Sequence, residues 1–203
     1  MIEFLELAYK YYPKGLTDND RFNFFNSIEY KRHTKRKEDR INELRMSWYK
    51  IIENLNQNSL DESYVVSFDF FLNSFENSFP VAIYFPMNSA NQIVKKNLVL
   101  HISVLIDYFL IYQAEPLLYL NRNFSYDIDP ALENEYLQIK SIVLQHLPFF
   151  REFPKEMLNV EISDIGWMGL GKIPGYVHPT LVEPLTLYNL FFSPKHYCHF
   201  SAK

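Results

Sequence analysis

Cysteine and glycine are scarce in this chain of 203 residues. The single cysteine, Cys198, cannot form an internal disulfide, which excludes a small disulfide-stabilised scaffold and is typical of a reducing compartment. Only 5 residues are glycine, against 18 Phe and 15 Tyr, so collagen-like repeats are excluded. Hydrophobic residues make up 48% and charged residues 22%. This composition excludes intrinsic disorder and predicts a globular protein that buries its own core.

An excess of positive charge is also missing, because the formal net charge is -4. Such a chain is not a general polyanion binder, which needs clustered Lys and Arg. Residues 1–7 carry acids where a signal peptide carries Lys or Arg, and no cleavable segment follows. Residues 98–120 are long and apolar enough to span a membrane, yet they include Asp107 and Glu115, which are costly there. We therefore expect a cytoplasmic protein with no membrane span.

The hydrophobic pattern predicts an α+β fold in which N-terminal helices are followed by a largely antiparallel sheet with one later helix. The first helix ends before Pro13, and the second begins near Thr17 and has an apolar face at Phe22, Phe25 and Ile28. The third carries a stripe spaced three and four residues apart, formed by Ile41, Leu44, Trp48, Ile51 and Leu55.

β-Branched and aromatic runs predict the strands. They cover residues 64–71, 81–85, 98–112 with a break at 103–107, 160–165 and 185–192. Asp129 and Pro130 predict the start of the later helix, because Asp caps the first turn and Pro fills a position whose amide needs no partner. No linker composition or internal repeat divides the chain, so residues 1–203 are predicted to form a single domain.

A glycine-rich segment at residues 166–173 has the outline of a phosphate-binding loop. The segment lacks two features that such a loop requires. Ile173 replaces the Ser or Thr that holds magnesium, and Pro174 interrupts the helix that should follow. We interpret the segment as a turn-rich loop. Its side chains at Trp167, Met168 and Tyr176 either anchor a partner or fold back onto the core.

Catalytic and metal-binding motifs are likewise incomplete. Residues 196–199 place two His and one Cys together, but a structural zinc site needs a second ligand pair. No serine-nucleophile elbow or zinc-protease helix motif occurs, and Cys198 has no catalytic surround. We therefore expect no metal, no cofactor and no catalytic residues, although an enzyme assembled from distant positions remains an alternative.

Charge is segregated along the chain. Residues 31–45 contain seven basic and three acidic residues, a local charge of +4 that leaves -8 for the remainder. Arg32, Arg36 and Arg40 recur every four residues and are predicted to line one helical face. That face is either a docking surface for an acidic partner or RNA, or the solvated side of the third helix. His33 is the only ring between Tyr30 and Trp48, which disfavours nucleic acid.

The opening segment, residues 6–15 (ELAYKYYPKG) with the predicted helix at 20–32, resembles the start of small proteins from Bacteroidetes-type bacteria. These proteins are similar to immunity proteins of polymorphic toxin systems. The resemblance implies a cytosolic, non-enzymatic protein that binds and blocks a toxin encoded nearby. The alternatives are an RNA-binding protein that uses the basic helix 31–45, or an enzyme or adaptor subunit.

Overall fold

The computed structural model confirms the α+β class. The helices are α1 (Ile2–Tyr11), α2 (Arg21–Asn26), α3 (Ile28–Gln57), α4 (Glu133–His146) and α5 (Leu187–Phe191). The strands are β1 (Tyr64–Ser67), β2 (Ser78–Ser89), β3 (Gln92–Ser103), β4 (Tyr108–Ala114), β5 (Asn123–Ser125), β6 (Arg151–Glu152) and β7 (His199–Ser201). The structure describes residues 2–16, 21–57, 64–67, 77–89, 92–114, 123–125, 127–165, 185–192 and 199–201.

Strands β1 to β5 form the antiparallel part of the sheet, whose order is β1-β2-β3-β4-β5-β7. The pairs β4–β6 and β5–β7 are parallel. Strand β2 includes Pro80 and Pro86, the two residues that flank the predicted strand at 81–85. Because β1 pairs with residues 81–84, both prolines lie outside the part of β2 that is paired on two sides among the described residues, where a missing N–H is tolerated.

The predicted break between β3 and β4 is confirmed, and it forms a turn at residues 104–107. The Ser103 hydroxyl oxygen accepts hydrogen bonds from the amides of Leu105 (3.2 Å) and Ile106 (3.3 Å), which stabilises the turn. Only Asp107 of this turn is exposed. The turn therefore carries one carboxylate at the surface of an otherwise apolar segment.

Helices pack on both faces of the sheet. The ring of Trp48 in α3 stacks on Phe79 with centroids 5.3 Å apart, and the predicted stripe is buried at Leu44, Trp48, Ile51 and Leu55. Side chains alternate along a strand, so Ser78 faces the side opposite to Phe79. There its hydroxyl donates to the Phe192 carbonyl at the end of α5. Helices α3 and α5 therefore lie on opposite faces.

The later helix begins as predicted. The Asp129 carboxylate accepts a hydrogen bond of 2.9 Å from the Ala131 amide, and a short 3-10 turn then leads into α4. The helix ends at His146, before Pro148. Its buried residues Ile139, Ile142 and Val143 face the core.

The two predicted late strands are wrong. Residues 160–165 form only isolated bridges, from Ile165 to Lys14 and from Glu161 to Thr186. Residues 185–192 contain helix α5, where Asn189 Oδ1 accepts from both the backbone amide and the hydroxyl of Thr186. Every residue of this segment is buried. A short segment that is apolar on all sides shows no periodicity to separate a helix from a strand.

Helix α5 ends inside the protein, so its last carbonyl groups need partners other than water. Each accepts a hydrogen bond of 2.8–2.9 Å from a side chain elsewhere in the chain: Leu190 from Tyr12 and Asn77, Phe191 from Ser103, and Phe192 from Ser78. Asn77 Nδ2 also donates to the Tyr12 hydroxyl at 2.8 Å. We call these five side-chain bonds the α5 carbonyl network.

We predict that Tyr12→Phe destabilises the protein by about 1–2 kcal/mol, because it removes a buried hydroxyl that both donates and accepts. Tyr11→Phe is the matched control, since Tyr11 is also buried but its hydroxyl has no hydrogen bond among the described residues. Urea unfolding monitored by circular dichroism measures both variants. Equal unfolding free energies for the two would refute the role assigned to the network.

Candidate partner-binding surface

The three predicted docking arginines all lie in α3, which begins early enough to contain them. Their spacing of four residues places them along one side of a continuous helix, as predicted. The structure separates them by environment, however. Arg32 is exposed and donates from Nη1 to the Lys10 carbonyl at 3.2 Å, whereas Arg36 and Arg40 turn toward the β3–β4 turn.

Arg40 is held by charge pairs on its inner side. Only 12% of its side chain is exposed, and its guanidinium binds the carboxylate of Asp107 and that of Glu43, the latter at 3.1 Å. The guanidinium also lies 5.3 Å from the centroid of the Phe150 ring. Arg36 Nη2 approaches Asp107 Oδ1 at 3.8 Å. These two arginines tie α3 to the β3–β4 turn.

The position of Arg40 explains its burial. It lies seven residues after the buried His33 and four before the buried Leu44, so it continues the inward stripe of α3. A cation on that stripe needs a carboxylate, and Asp107 supplies one. The interpretation of this face as merely solvated is therefore wrong for Arg40.

The apolar face predicted for the second helix exists but points outward. Phe22, Phe25 and Ile28 are 79%, 46% and 65% exposed, whereas Phe24 is 2% exposed and packs inward. The Phe24 and Tyr30 rings lie 5.2 Å apart. The predicted helix is interrupted, because the chain bends at Ser27 and Ile28 belongs to α3. Spacing of three residues groups Phe22 and Phe25 on one side of α2 but does not show which side faces the core.

The junction between α2 and α3 is well fixed. The Ser27 hydroxyl oxygen accepts a hydrogen bond of 3.1 Å from the Tyr30 amide and so caps α3. The Ser27 amide donates to the Phe24 carbonyl at 3.1 Å. The Phe25 ring meets the Tyr30 ring edge-on at 5.0 Å. The hydrogen bonds and ring contact at this junction thus hold the exposed aromatic side chains of α2 in a defined position.

Three exposed cations lie in the first turns of α3. Lys31, Arg32 and Lys35 lie three, four and seven residues after Ile28, so they share its side of α3. None of them forms an ion pair within the described part of the chain. Together with the apolar residues they form what we call the basic-aromatic surface: Phe22, Phe25, Ile28, Lys31, Arg32 and Lys35.

The other predicted anchors belong to the glycine-rich segment and the residues after it. Trp167, Met168 and Tyr176, together with the glycine-rich segment, lie outside the described residues. So do residues 196–198 of the His and Cys cluster. Among the residues that are described, no group of three His, Cys, Asp or Glu side chains could hold a metal ion.

A buried Ser–His pair invites comparison with a catalytic site. Ser78 Oγ lies 2.7 Å from His101 Nδ1, but it donates its own proton to the Phe192 carbonyl at 2.9 Å. His101 Nδ1 must therefore be the donor to Ser78, the reverse of what a general base needs. Both residues are at most 5% exposed. This pair supports the α5 carbonyl network rather than a reaction.

His33 is fixed by the same network. Because Asn77 Nδ2 donates to Tyr12 and Leu190, its Oδ1 faces His33 Nε2 at 3.3 Å, and Nε2 must carry the proton. His33 Nδ1 has no partner among the described residues. Burial, reinforced by the charge of Lys37, lowers the pKa of His33 to about 4.

No family model, curated protein or solved structure matches this chain. Its function therefore has to follow from the geometry of its own residues. Across the described residues, no helix has the length and apolar character of a membrane span. The part of residues 98–120 that the structure describes belongs to β3, the turn at 104–107 and β4.

We predict that Arg40→Ala lowers the free energy of unfolding by about 1–2 kcal/mol, because it removes the pairing with Asp107 and the packing on Phe150. Arg32→Ala, an identical change at an exposed position of the same helix, should cost less than about 0.5 kcal/mol. Urea denaturation of both variants tests this contrast. A loss at position 32 as large as at position 40 contradicts the inward role of Arg40.

We also predict an acid-dependent loss of stability through His33. Its pKa is about 4 in the folded state against 6.5 as its ordinary value, so the unfolded chain binds more protons between these limits. The free energy of unfolding should fall as the pH drops from about 6.5 to about 4, by up to about 1.4 kcal/mol per unit from this group. His33→Gln keeps an N–H donor for Asn77 and should flatten the decline. An unchanged slope in this variant excludes His33 as its source.

Proposed function

We propose that this protein is a non-enzymatic binding protein that neutralises a cognate toxin by tight, stoichiometric association, as an immunity protein does. The observation that carries the proposal is the basic-aromatic surface, where exposed Phe22, Phe25 and Ile28 precede, along the chain, cations that lack carboxylate partners among the described residues. We place this action in the cytoplasm, where a toxin-producing cell needs protection.

Exposed apolar side chains of this size support binding. Phe22 is 79% exposed, and fully burying such a side chain against a partner yields about 1.5–3 kcal/mol. Aromatic residues and arginine dominate the small sets of residues that supply most interface energy. Phe22, Phe25 and Arg32 are of these types, and all three are exposed.

The charge distribution supports the same proposal. Residues 31–45 carry +4 within a chain of net charge -4. Segregated charge orients and speeds association with a complementary partner. The buried Ser78–His101 pair is committed to supporting α5, so it offers no competing chemical role.

A second candidate is single-stranded RNA binding. Phe22 and Phe25 supply exposed rings beside the basic residues, a combination that stacks bases and contacts phosphates. Against it, Arg36 and Arg40 are already bound to Asp107. Few cations therefore remain for a phosphate backbone, and we expect no binding to mixed RNA near physiological salt.

The test of the immunity proposal is expression of the adjacent reading frame in a sensitive host. We predict that the neighbour alone stops growth, and that co-expression of this protein restores it through a complex of one copy of each chain. Growth curves and light scattering on the purified pair measure both effects. An unrelated protein of similar size, co-expressed instead, is the control.

The proposal is wrong if the neighbour is harmless by itself, or if it kills equally well in the presence of this protein. Rescue without a detectable complex also counts against it, because stoichiometric binding is the proposed mechanism.

A further inference from the structure

We infer that the basic-aromatic surface docks an acidic protein surface that contains an apolar pocket for Phe22 and Phe25. The inference rests on the proposed function and adds two things to it. It locates the contact on α2 and the first turns of α3, and it specifies the chemistry of the partner.

The apolar half of the surface is preformed. Phe22 and Phe25 lie three residues apart on α2, so their rings leave the helix on the same side. The Ser27 cap and the contact of Phe25 with Tyr30 hold the junction in place. A surface that is already ordered loses little conformational entropy on binding. A partner therefore needs only a complementary pocket.

The basic half of the surface is complementary to carboxylates. Lys31 and Lys35 are four residues apart on a helix, a spacing at which like charges repel and destabilise it. Further along α3, by contrast, Arg40 is paired with Asp107. Carboxylates of a partner would remove the repulsion between Lys31 and Lys35 and supply the missing pairs.

A second copy of this chain is a poor partner for the basic-aromatic surface. A two-fold contact places the same patch of both copies together. Lys31, Arg32 and Lys35 of one copy would then face those of the other, because none of the six residues that define the surface is acidic. Charge therefore favours a different protein.

A long polyanion or an anionic membrane is also a poor fit. The run from Lys31 to Lys35 covers only about 6 Å of helix. The exposed carboxylates of Glu38 and Asp39 follow immediately, and both would face the same negative surface. A compact acidic patch on a protein matches this short basic run better.

The experiment compares two pairs of matched variants in the neutralisation assay and in binding to the purified toxin. Lys31→Glu with Lys35→Glu reverses two charges of the surface, and Arg45→Glu with Lys50→Glu reverses two exposed charges further along α3. Phe22→Ala with Phe25→Ala removes the apolar anchors. Met46→Ala with Tyr49→Ala removes exposed apolar residues, 65% and 50% exposed, on α3.

We expect the Lys31 and Lys35 reversals to weaken binding at least about 100-fold, mainly by slowing association, with a smaller effect at about 0.3 M salt than at about 0.05 M. The Phe22 and Phe25 changes should weaken binding by a similar factor through faster dissociation, independently of salt. Both control pairs should stay within about threefold of the wild type. Circular dichroism and melting temperature verify that every variant folds.

The outcomes separate the two proposals. Neutralisation that survives in both surface variants overturns the proposed location of the contact but leaves the immunity function standing. A neighbour that wild-type protein does not neutralise overturns both. Micromolar binding of mixed RNA or phosphatidylserine vesicles that Lys31→Glu with Lys35→Glu abolishes assigns the surface to a polyanion instead. A homodimer lost in Phe22→Ala with Phe25→Ala assigns it to self-association.

Discussion

The buried end of α5 is the constraint on which the rest of the described fold depends. A helix that ends in the core leaves carbonyl groups whose burial without partners costs free energy, so each must receive a donor. The donors come from the end of α1, from the start of β2 and from the end of β3, and some lie more than 100 residues away in sequence. Satisfying three carbonyl groups therefore brings together four distant parts of the chain, and the apolar packing of both sheet faces follows.

Helix α3 is held in position by contacts with this network and by the ion pairs to Asp107. Near its beginning, His33 is held by Asn77, the residue that also serves the Leu190 carbonyl. Further along, Arg36 and Arg40 bind Asp107 on the β3–β4 turn. With its inner side fixed at two points, the helix has only one orientation. The side that carries Ile28, Lys31 and Lys35 is consequently turned to solvent, which is where a partner could reach it.

Five of the basic residues of α3 fall into two groups with different roles. Arg36 and Arg40 form ion pairs within the protein, whereas Lys31, Arg32 and Lys35 have no carboxylate partner among the described residues. A net charge counted along residues 31–45 treats the two groups alike. The surface proposed to meet a toxin is therefore smaller than the charge run suggests, and its apolar border at Phe22 and Phe25 matters correspondingly more.

The sequence by itself determined the features that depend on neighbours within a few residues. The Leu44 to Leu55 stripe, the Asp129 cap and the break after Ser103 follow from local periodicity and hydrogen bonding, and all three are confirmed. Only the tertiary structure decided that residues 187–191 form a helix, that Arg40 turns inward, and that Phe22 and Phe25 point outward. Each of these depends on what the rest of the chain places beside it. Asp107 lies 67 residues from Arg40, and the donors that hold the end of α5 are farther still, so no local pattern could reveal them.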